Sequence, residues 1–235
     1  MNILITGASK GIGFEVVKQF TKNTDNKIIA LSRDKELLQN LKKVCETEFN
    51  NKIYVHSIDF LSNSLSEDLD KILLEHKYHF DIIINNAGYL INKPFSETTK
   101  QEIRNTYQTN VFAPITILQA VFPLLDNKKH CHIINIGSMG GYQGSVKFPG
   151  LSIYSSSKAA LANLTECLAE EYKEKQITIN CLALGSVQTE MLNNAFPDYK
   201  AQVTATEMAM FIANFALTQS NYFNGKVIPI SKTTP

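Results

Sequence analysis

The stretch "MNILITGASKGIG" (residues 1–13) decides how the rest of the chain is read. "NILIT" is an unbroken apolar run, too short for a buried helix and suited to a strand covered on both faces. Gly7, Gly11 and Gly13 then mark a turn. Ile12, Val16 and Phe20 follow at intervals of four, the spacing of one helix face. Strand, glycine turn and helix in immediate succession predict the opening of a parallel β-α-β unit. The stretch has neither a basic leader nor a long apolar run, so it reads as a first strand and not as a signal peptide.

The same rhythm continues along the chain. Short apolar runs recur at 27–32, 53–58, 81–85, 132–137, 177–183 and 226–230, with helical patterns between them. The expected fold is α/β: a Rossmann-like doubly wound parallel β-sheet of about seven strands with helices on both faces. A chain of 235 residues has room for one large domain, and no repeat or linker divides it, so 1–235 is expected to be a single domain. A long helix is expected over about 102–125. Pro114 lies within it and should free carbonyls near Asn110.

Composition narrows the partners. A formal charge of +1 offers nothing to a nucleic acid or a membrane surface, and no apolar run approaches a membrane span. Cys45, Cys131, Cys167 and Cys181 form no C-x-x-C pair, which suits reduced thiols in the cytoplasm. "HCH" (130–132) resembles a metal cluster. On a strand, however, His130 and His132 face one way and Cys131 the other. No second ligand pair stands at metal spacing, so no metal site is expected.

The turn after the first strand is where a phosphate would sit. Gly7, Ser9, Lys10, Gly11, Ile12 and Gly13 would bring backbone against a pyrophosphate at a helix N-terminus. The spacing is G-x-x-x-G-x-G, neither a Walker loop nor the usual dinucleotide fingerprint. A carboxylate closing the second strand would favour NAD(H), and a cation NADP(H). Here Ser32 is followed by Arg33, a planar fork suited to phosphate oxygens, with Lys10 as a second charge. Asp34 is assigned to capping the next helix. NADP(H) is therefore favoured over NAD(H).

"YSSSK" (154–158) places Tyr154 and Lys158 at i and i+4, on one face of a helix. A phenol acting near neutral pH needs a pKa about 3 units below its ordinary value, roughly 4 kcal/mol. One ammonium at about 4 Å in an effective dielectric near 20 supplies about that much. Lys158 is therefore expected to lower the Tyr154 pKa.

"TGASKGIG" (6–13), "NNAG" (85–88) and "YSSSK", in this order, resemble the short-chain dehydrogenase/reductase family in its single-domain form, from about residue 2 to residue 190. The resemblance implies that Asp59 binds adenine, and that Asn86, Ala87 and Gly88 line the cofactor ribose. It also implies Ser138 as the catalytic serine, Asn110 as part of a water relay to Lys158, and Val187 and Thr189 near the nicotinamide carboxamide. Tyr154 would contact cofactor as well as substrate, and Lys158 would orient the nicotinamide ribose and, with Asn110, connect Tyr154 to solvent protons. The implied activity is hydride transfer between NADP(H) and a small carbonyl or alcohol. Tyr154 would donate the proton while Ser138 holds the oxygen. The alternatives are a 3-oxoacyl-thioester reductase, which should show basic residues near the pocket, and an NADP(H)-binding sensor without turnover.

Some positions depart from the family pattern. The segment between Ser138 and Tyr154 is about three residues longer than expected, so "YQGSVKFPG" should form an extended loop. Tyr142 and Phe148 in this region could line a substrate pocket or simply pack. Leu184-Gly185 replaces Pro-Gly, which should loosen the segment orienting nicotinamide. Met191, Leu192, Ala195 and Phe196 could form a small amphipathic lid. The tail lacks the usual Gly-Gly after the last strand. A homodimer and a homotetramer are both compatible with the two long helices.

Overall fold

The computed structural model describes residues 1–76 and 79–232. Seven parallel strands form the main sheet: β1 (Asn2–Thr6), β2 (Lys27–Ser32), β3 (Tyr54–Ser57), β4 (Ile82–Asn85), β5 (Cys131–Ser138), β6 (Ile177–Leu184) and β9 (Val227–Ile230). Their spatial order is β3-β2-β1-β4-β5-β6-β9. Two short strands, β7 (Val187–Gln188) and β8 (Val203–Thr204), form a separate ribbon. The helices are α1 (Gly11–Thr21), α2 (Lys35–Phe49), α3 (Leu65–His76), α4 (Lys100–Tyr107), α5 (Ala113–Val121), α6 (Ser152–Glu171), α7 (Glu190–Ala195) and α8 (Ala205–Thr218). Among the described residues no helix is long and apolar enough to cross a membrane.

The unbroken apolar runs have a simple cause. Successive strand residues point to opposite faces, and both faces are covered. Ile3, Ile5, Ile28, Ala30 and Ile84 join Val16, Val17, Phe20, Leu38 and Ile212 in one core. Leu4, Ile29 and Ile83 join Leu69, Leu73, Ile117 and Leu118 in the other. Full burial of each such side chain is worth about 1.5–3 kcal/mol, so both layers hold the strands in register. Ile5 thus lies between Ala30 and Ile84.

Strand order reverses direction between β1 and β4. In open α/β sheets this is where a crevice opens at the carboxyl ends of the strands. The residues after β1, β2, β4 and β5 therefore meet at one edge, although they are far apart in sequence.

The expected long helix is divided in three. α4 begins with a Thr99–Glu102 capping box, a π turn spans Gln108–Phe112, and α5 carries Pro114 near its start. Proline lacks an amide hydrogen and its ring excludes the carbonyl four residues earlier, that of Asn110. The widened turn accommodates both and leaves Asn110 buried. Asp34 caps α2, its carboxylate accepting from the Leu37 amide at 2.9 Å.

The "HCH" segment is a strand entry. Cys131 packs in the core that holds Leu4, while His132 faces α8. Asn180 Nδ2 donates to His132 Nε2 at 3.2 Å, so the ring proton sits on Nδ1 and is donated to the Ala216 carbonyl at 3.0 Å. Burial lowers the His132 pKa to about 4. Of the tail, Thr233, Thr234 and Pro235 lie outside the described residues.

Candidate active site

A cleft of about 430 Å³ runs along the carboxyl ends of the strands, from Ser32, Arg33 and Asp59 at one end to Tyr154, Lys158 and Thr189 at the other. Its floor is the glycine turn. Gly7 and Gly11 have φ of 65° and 59°, the left-handed region where a side chain is strained. Gly13 does not line the cleft but lies beneath it: a Cβ there would fall 2.2 Å from the Gly7 carbonyl oxygen. Thr6, which the motif reading passed over, joins the turn to the end of β4. Its hydroxyl accepts from the amides of Asn86 and Ala87, both at 3.0 Å. Asn86 Nδ2 donates back to the carbonyls of Thr6 and Gly7, both at 3.1 Å. These hydrogen bonds shape the turn, and space between glycines is what a pyrophosphate requires. Gly13→Ala is expected to weaken NADPH binding at least about tenfold, because the carbonyl that meets the new methyl is backbone and cannot swing away. Fluorescence titration of NADPH checks this; unchanged affinity would contradict it.

At the adenosine end, the Ser9 and Ser32 hydroxyls are 2.8 Å apart. Arg33 is exposed at the rim and has no ion pair among the described residues. Asp59 is also at the rim, its carboxylate accepting from the Leu61 amide at 3.1 Å. Lys10, expected as the second positive charge, lines the cleft and has an ion-pair partner. Its Nζ lies 2.8 Å from Glu190, a carboxylate delivered by α7 from far along the chain. Sequence distance hid this partner.

At the other end, β5 terminates in Ser138, whose Oγ accepts from the Gly140 amide at 3.2 Å. The first turn of α6 presents Tyr154 toward it. Burial raises the Tyr154 pKa, and a hydrogen bond with Ser138 pulls it the other way. The expectation that Lys158 lowers this pKa is corrected. Lys158 Nζ lies 6.0 Å from the Tyr154 ring centroid and donates to the Ile136 carbonyl at 2.7 Å. Lys158 is itself only 3% exposed, and burial lowers its pKa to about 8. The strand carbonyl, rather than the phenol, holds the amine. With its pKa held above the ordinary value, Tyr154 is a protonated acid near neutral pH.

Asn110 is locked by three hydrogen bonds. Its Nδ2 donates to the Tyr89 carbonyl and to Ser157 Oγ, both at 2.9 Å, and its Oδ1 accepts from the Tyr89 amide at 2.8 Å. A methyl placed on Gly88 would lie 3.7 Å from both Asn110 Oδ1 and Lys158 Nζ, so the two groups flank the same glycine. The structure thus brings Ser138 to Tyr154, and Asn110 to the surroundings of Lys158. Ile136, Ser157 and Tyr89 act through backbone or small hydroxyl groups, for which the sequence carries no signal.

The lid is α7. Its cap Thr189 accepts from the Leu192 amide at 3.2 Å, and Met191 and Leu192 face the cleft. Ala195 and Phe196 do not line the cleft, contrary to the expected four-residue face; Asn92 Nδ2 instead donates to the Ala195 carbonyl at 2.8 Å. Val187, buried on β7, lines the cleft and is paired with Val203. The extra residues before α6 form a loop closed by Ser145 Oγ on the Met139 and Tyr142 carbonyls and by Lys147 Nζ on Tyr142 O at 2.6 Å. Tyr142 and Phe148 lie outside the cleft lining. The segment at Leu184-Gly185 is held firmly, the Gly185 amide donating to the Ile230 carbonyl at 2.9 Å.

The residues present fit a nicotinamide dinucleotide. The glycine cradle is a space that side chains would fill. An ammonium has three donors, and among the described residues Lys158 is given one acceptor, Ile136. The remaining donors lie at the cleft wall, as ribose hydroxyls would require.

Comparison with known proteins agrees with this geometry. The family described as short chain dehydrogenase matches residues 1–200. A 3-oxoacyl-acyl-carrier-protein reductase of Chlamydia muridarum is 26% identical, covering 97% of this chain and 94% of its own. Two solved structures superpose with a TM-score of 0.88 at 27% identity, covering 97% of this chain and 95% of theirs. They are short-chain dehydrogenases of Shigella flexneri, complexed with NADP, and of Escherichia coli, complexed with NADPH.

Proposed function

The chain belongs to the short-chain dehydrogenase/reductase family of oxidoreductases, and on that premise we propose that it is an NADP(H)-dependent reductase of small ketones or aldehydes, reversible toward the alcohol. One observation supports this most: a protonated phenol, hydrogen-bonded to Ser138 and one helical turn from a buried ammonium, closes one end of a cleft whose other end carries Arg33. Bound nicotinamide supplies the hydride. Tyr154 gives its proton to the developing alkoxide, and the Ser138 hydroxyl donates to the same oxygen and fixes its position. Lys158 holds the ribose with the donors left over from Ile136. Asn110 keeps the widened turn in place beside it. Asn86, Ala87, Gly88, Val187 and Thr189 form the walls. The assignment comprises one catalytic domain over 1–235, working in the cytoplasm as a homodimer or homotetramer.

Arg33 is the residue assigned to the 2′-phosphate, since Glu190 already occupies Lys10. Hydrogen bonds to a charged group are worth about 1.5–3 kcal/mol, so Arg33→Ala is expected to raise KM for NADPH about 10- to 100-fold. KM for NADH should stay within a few-fold. A parallel rise for both cofactors would remove Arg33 from this role.

Likeness to the Chlamydia reductase keeps 3-oxoacyl thioesters in the test. Against them, two cations beside the substrate loops are engaged internally: Lys93 with Glu102 at 3.2 Å, and Lys147 with the Tyr142 carbonyl. Oxidation of NADPH and of NADH, followed separately against ketones, aldehydes and 3-oxoacyl thioesters, decides among these substrates. Cofactor binding with no turnover across the whole panel would favour a sensor.

A further inference from the structure

One cluster lies outside the cleft. His56, on the edge strand β3, and His76, which ends α3, bring their Nε2 atoms to 2.8 Å. Their rings meet edge to face with centroids 5.0 Å apart, and Tyr54 packs against His76 at 4.6 Å. Glu75 stands beside them, and one ligand atom from each of the three residues lies within 4.8 Å of the others. None of the three lines the cleft.

From this convergence we infer that His56, His76 and Glu75 form a binding site for a divalent late transition ion of the zinc type. The geometry is close to what the ion needs. With metal–nitrogen bonds of about 2.0–2.1 Å, two cis imidazole nitrogens stand about 2.9 Å apart at right angles and about 3.4 Å apart in a tetrahedron. The observed separation requires the rings to part by half an ångström or so. Between them, the two Nε2 atoms can share one proton at most in a hydrogen bond, and a second proton would set like charges against each other. A cation takes both Nε2 lone pairs once the shared proton moves to Nδ1 of its ring, and it replaces the hydrogen bond with two metal–nitrogen bonds. Glu75 is exposed and long enough to swing inward as the third ligand, leaving the remaining position to water. Two imidazoles and one carboxylate suit zinc, cobalt, nickel or copper better than magnesium or calcium.

The consequence is mechanical. Among the described residues β3 pairs with β2 alone, so its outer side has no strand partner there. An ion shared between His56 and His76 would clamp this edge to the end of α3. A ligand that binds the folded chain and not the unfolded one raises the melting temperature.

The test uses untagged protein stripped with EDTA and titrated with zinc chloride by calorimetry, with cobalt absorption as a second readout. Wild type is expected to take one zinc per chain at about micromolar Kd or tighter, with a higher melting temperature in zinc than in EDTA. His56→Gln and Glu75→Gln should each weaken binding at least about tenfold. His130→Gln should leave it unchanged. Glu75 is exposed, so its variant carries the test should His56→Gln fold poorly. Absence of saturable zinc binding by wild type, wild-type affinity in both ligand variants, or loss of binding in His130→Gln would each overturn the site.

Discussion

Tyr154→Phe is expected to lower turnover with NADPH and any accepted carbonyl at least about a thousandfold, while NADPH affinity stays within a few-fold. The substitution removes one oxygen and keeps the ring that packs beside the cleft. Ser138 loses the partner that its hydroxyl shares in the free chain. The alkoxide formed by hydride transfer would then have no proton donor at hand, since Lys158 is turned toward Ile136. Ser138→Ala should cost less, because the phenol can still deliver the proton.

The protonated phenol also sets a pH dependence. Burial holds the Tyr154 pKa above its ordinary value, so the acid form persists through neutral and mildly alkaline conditions. Reductive turnover should therefore gain nothing from Tyr154 as pH rises. The reverse reaction needs the phenolate and should speed up with pH. Rates of reduction and oxidation measured from pH 6 to 10 check both signs. A Tyr154→Phe protein that retained turnover would end the mechanism, whatever its cofactor preference.

Residue type and order made the scaffold readable, and contact decided the rest. The strand positions could be seen because both faces of the sheet are buried, so nearly every strand residue is apolar. Asp34 was assigned as a cap from its place before a helical pattern. The glycine turn could be recognised because only glycine tolerates the observed φ at residues 7 and 11. Pro114 marked the break beside Asn110, although not its form, a π turn. What could not be read were long-range pairings between ordinary polar groups. Nothing in "ASKG" shows that Lys10 meets Glu190, and nothing in "YSSSK" shows that Lys158 prefers a β5 carbonyl to the phenol. The i, i+4 rule places two side chains on one face but does not choose which neighbour a flexible lysine takes. The His56–His76 pair was missed for a similar reason: twenty residues separate it and no motif announces it.

Lys158→Met is expected to abolish most turnover and yet leave the folded chain at pH 7 as stable as wild type, or more stable. The loss of activity, about a thousandfold, follows from removing the cation assigned to hold the ribose beside Tyr154. The stability effect follows from linkage. Lys158 has a folded pKa of about 8 against an ordinary 10.5. Below pH 8 both folded and unfolded chains carry the proton, and the full cost of burying the charge is present. Between about 8 and 10.5 the unfolded chain binds more protons, so wild-type stability rises with pH across that window. The shift corresponds to about 3 kcal/mol of burial cost. Methionine carries no charge and removes that cost, but it leaves the Ile136 carbonyl without its donor, a loss of about 1–3 kcal/mol. The balance at pH 7 is near zero or favourable to the variant, and it should move toward wild type as pH approaches 10. Urea denaturation at pH 7 and pH 10 measures it directly. Saturating NADPH should stabilise wild type well beyond Lys158→Met, because the unspent donors of the ammonium find their acceptors only in that complex. If the variant were instead several kcal/mol weaker at pH 7, Lys158 would be a structural residue, and the ribose-holding role assigned to it would fail.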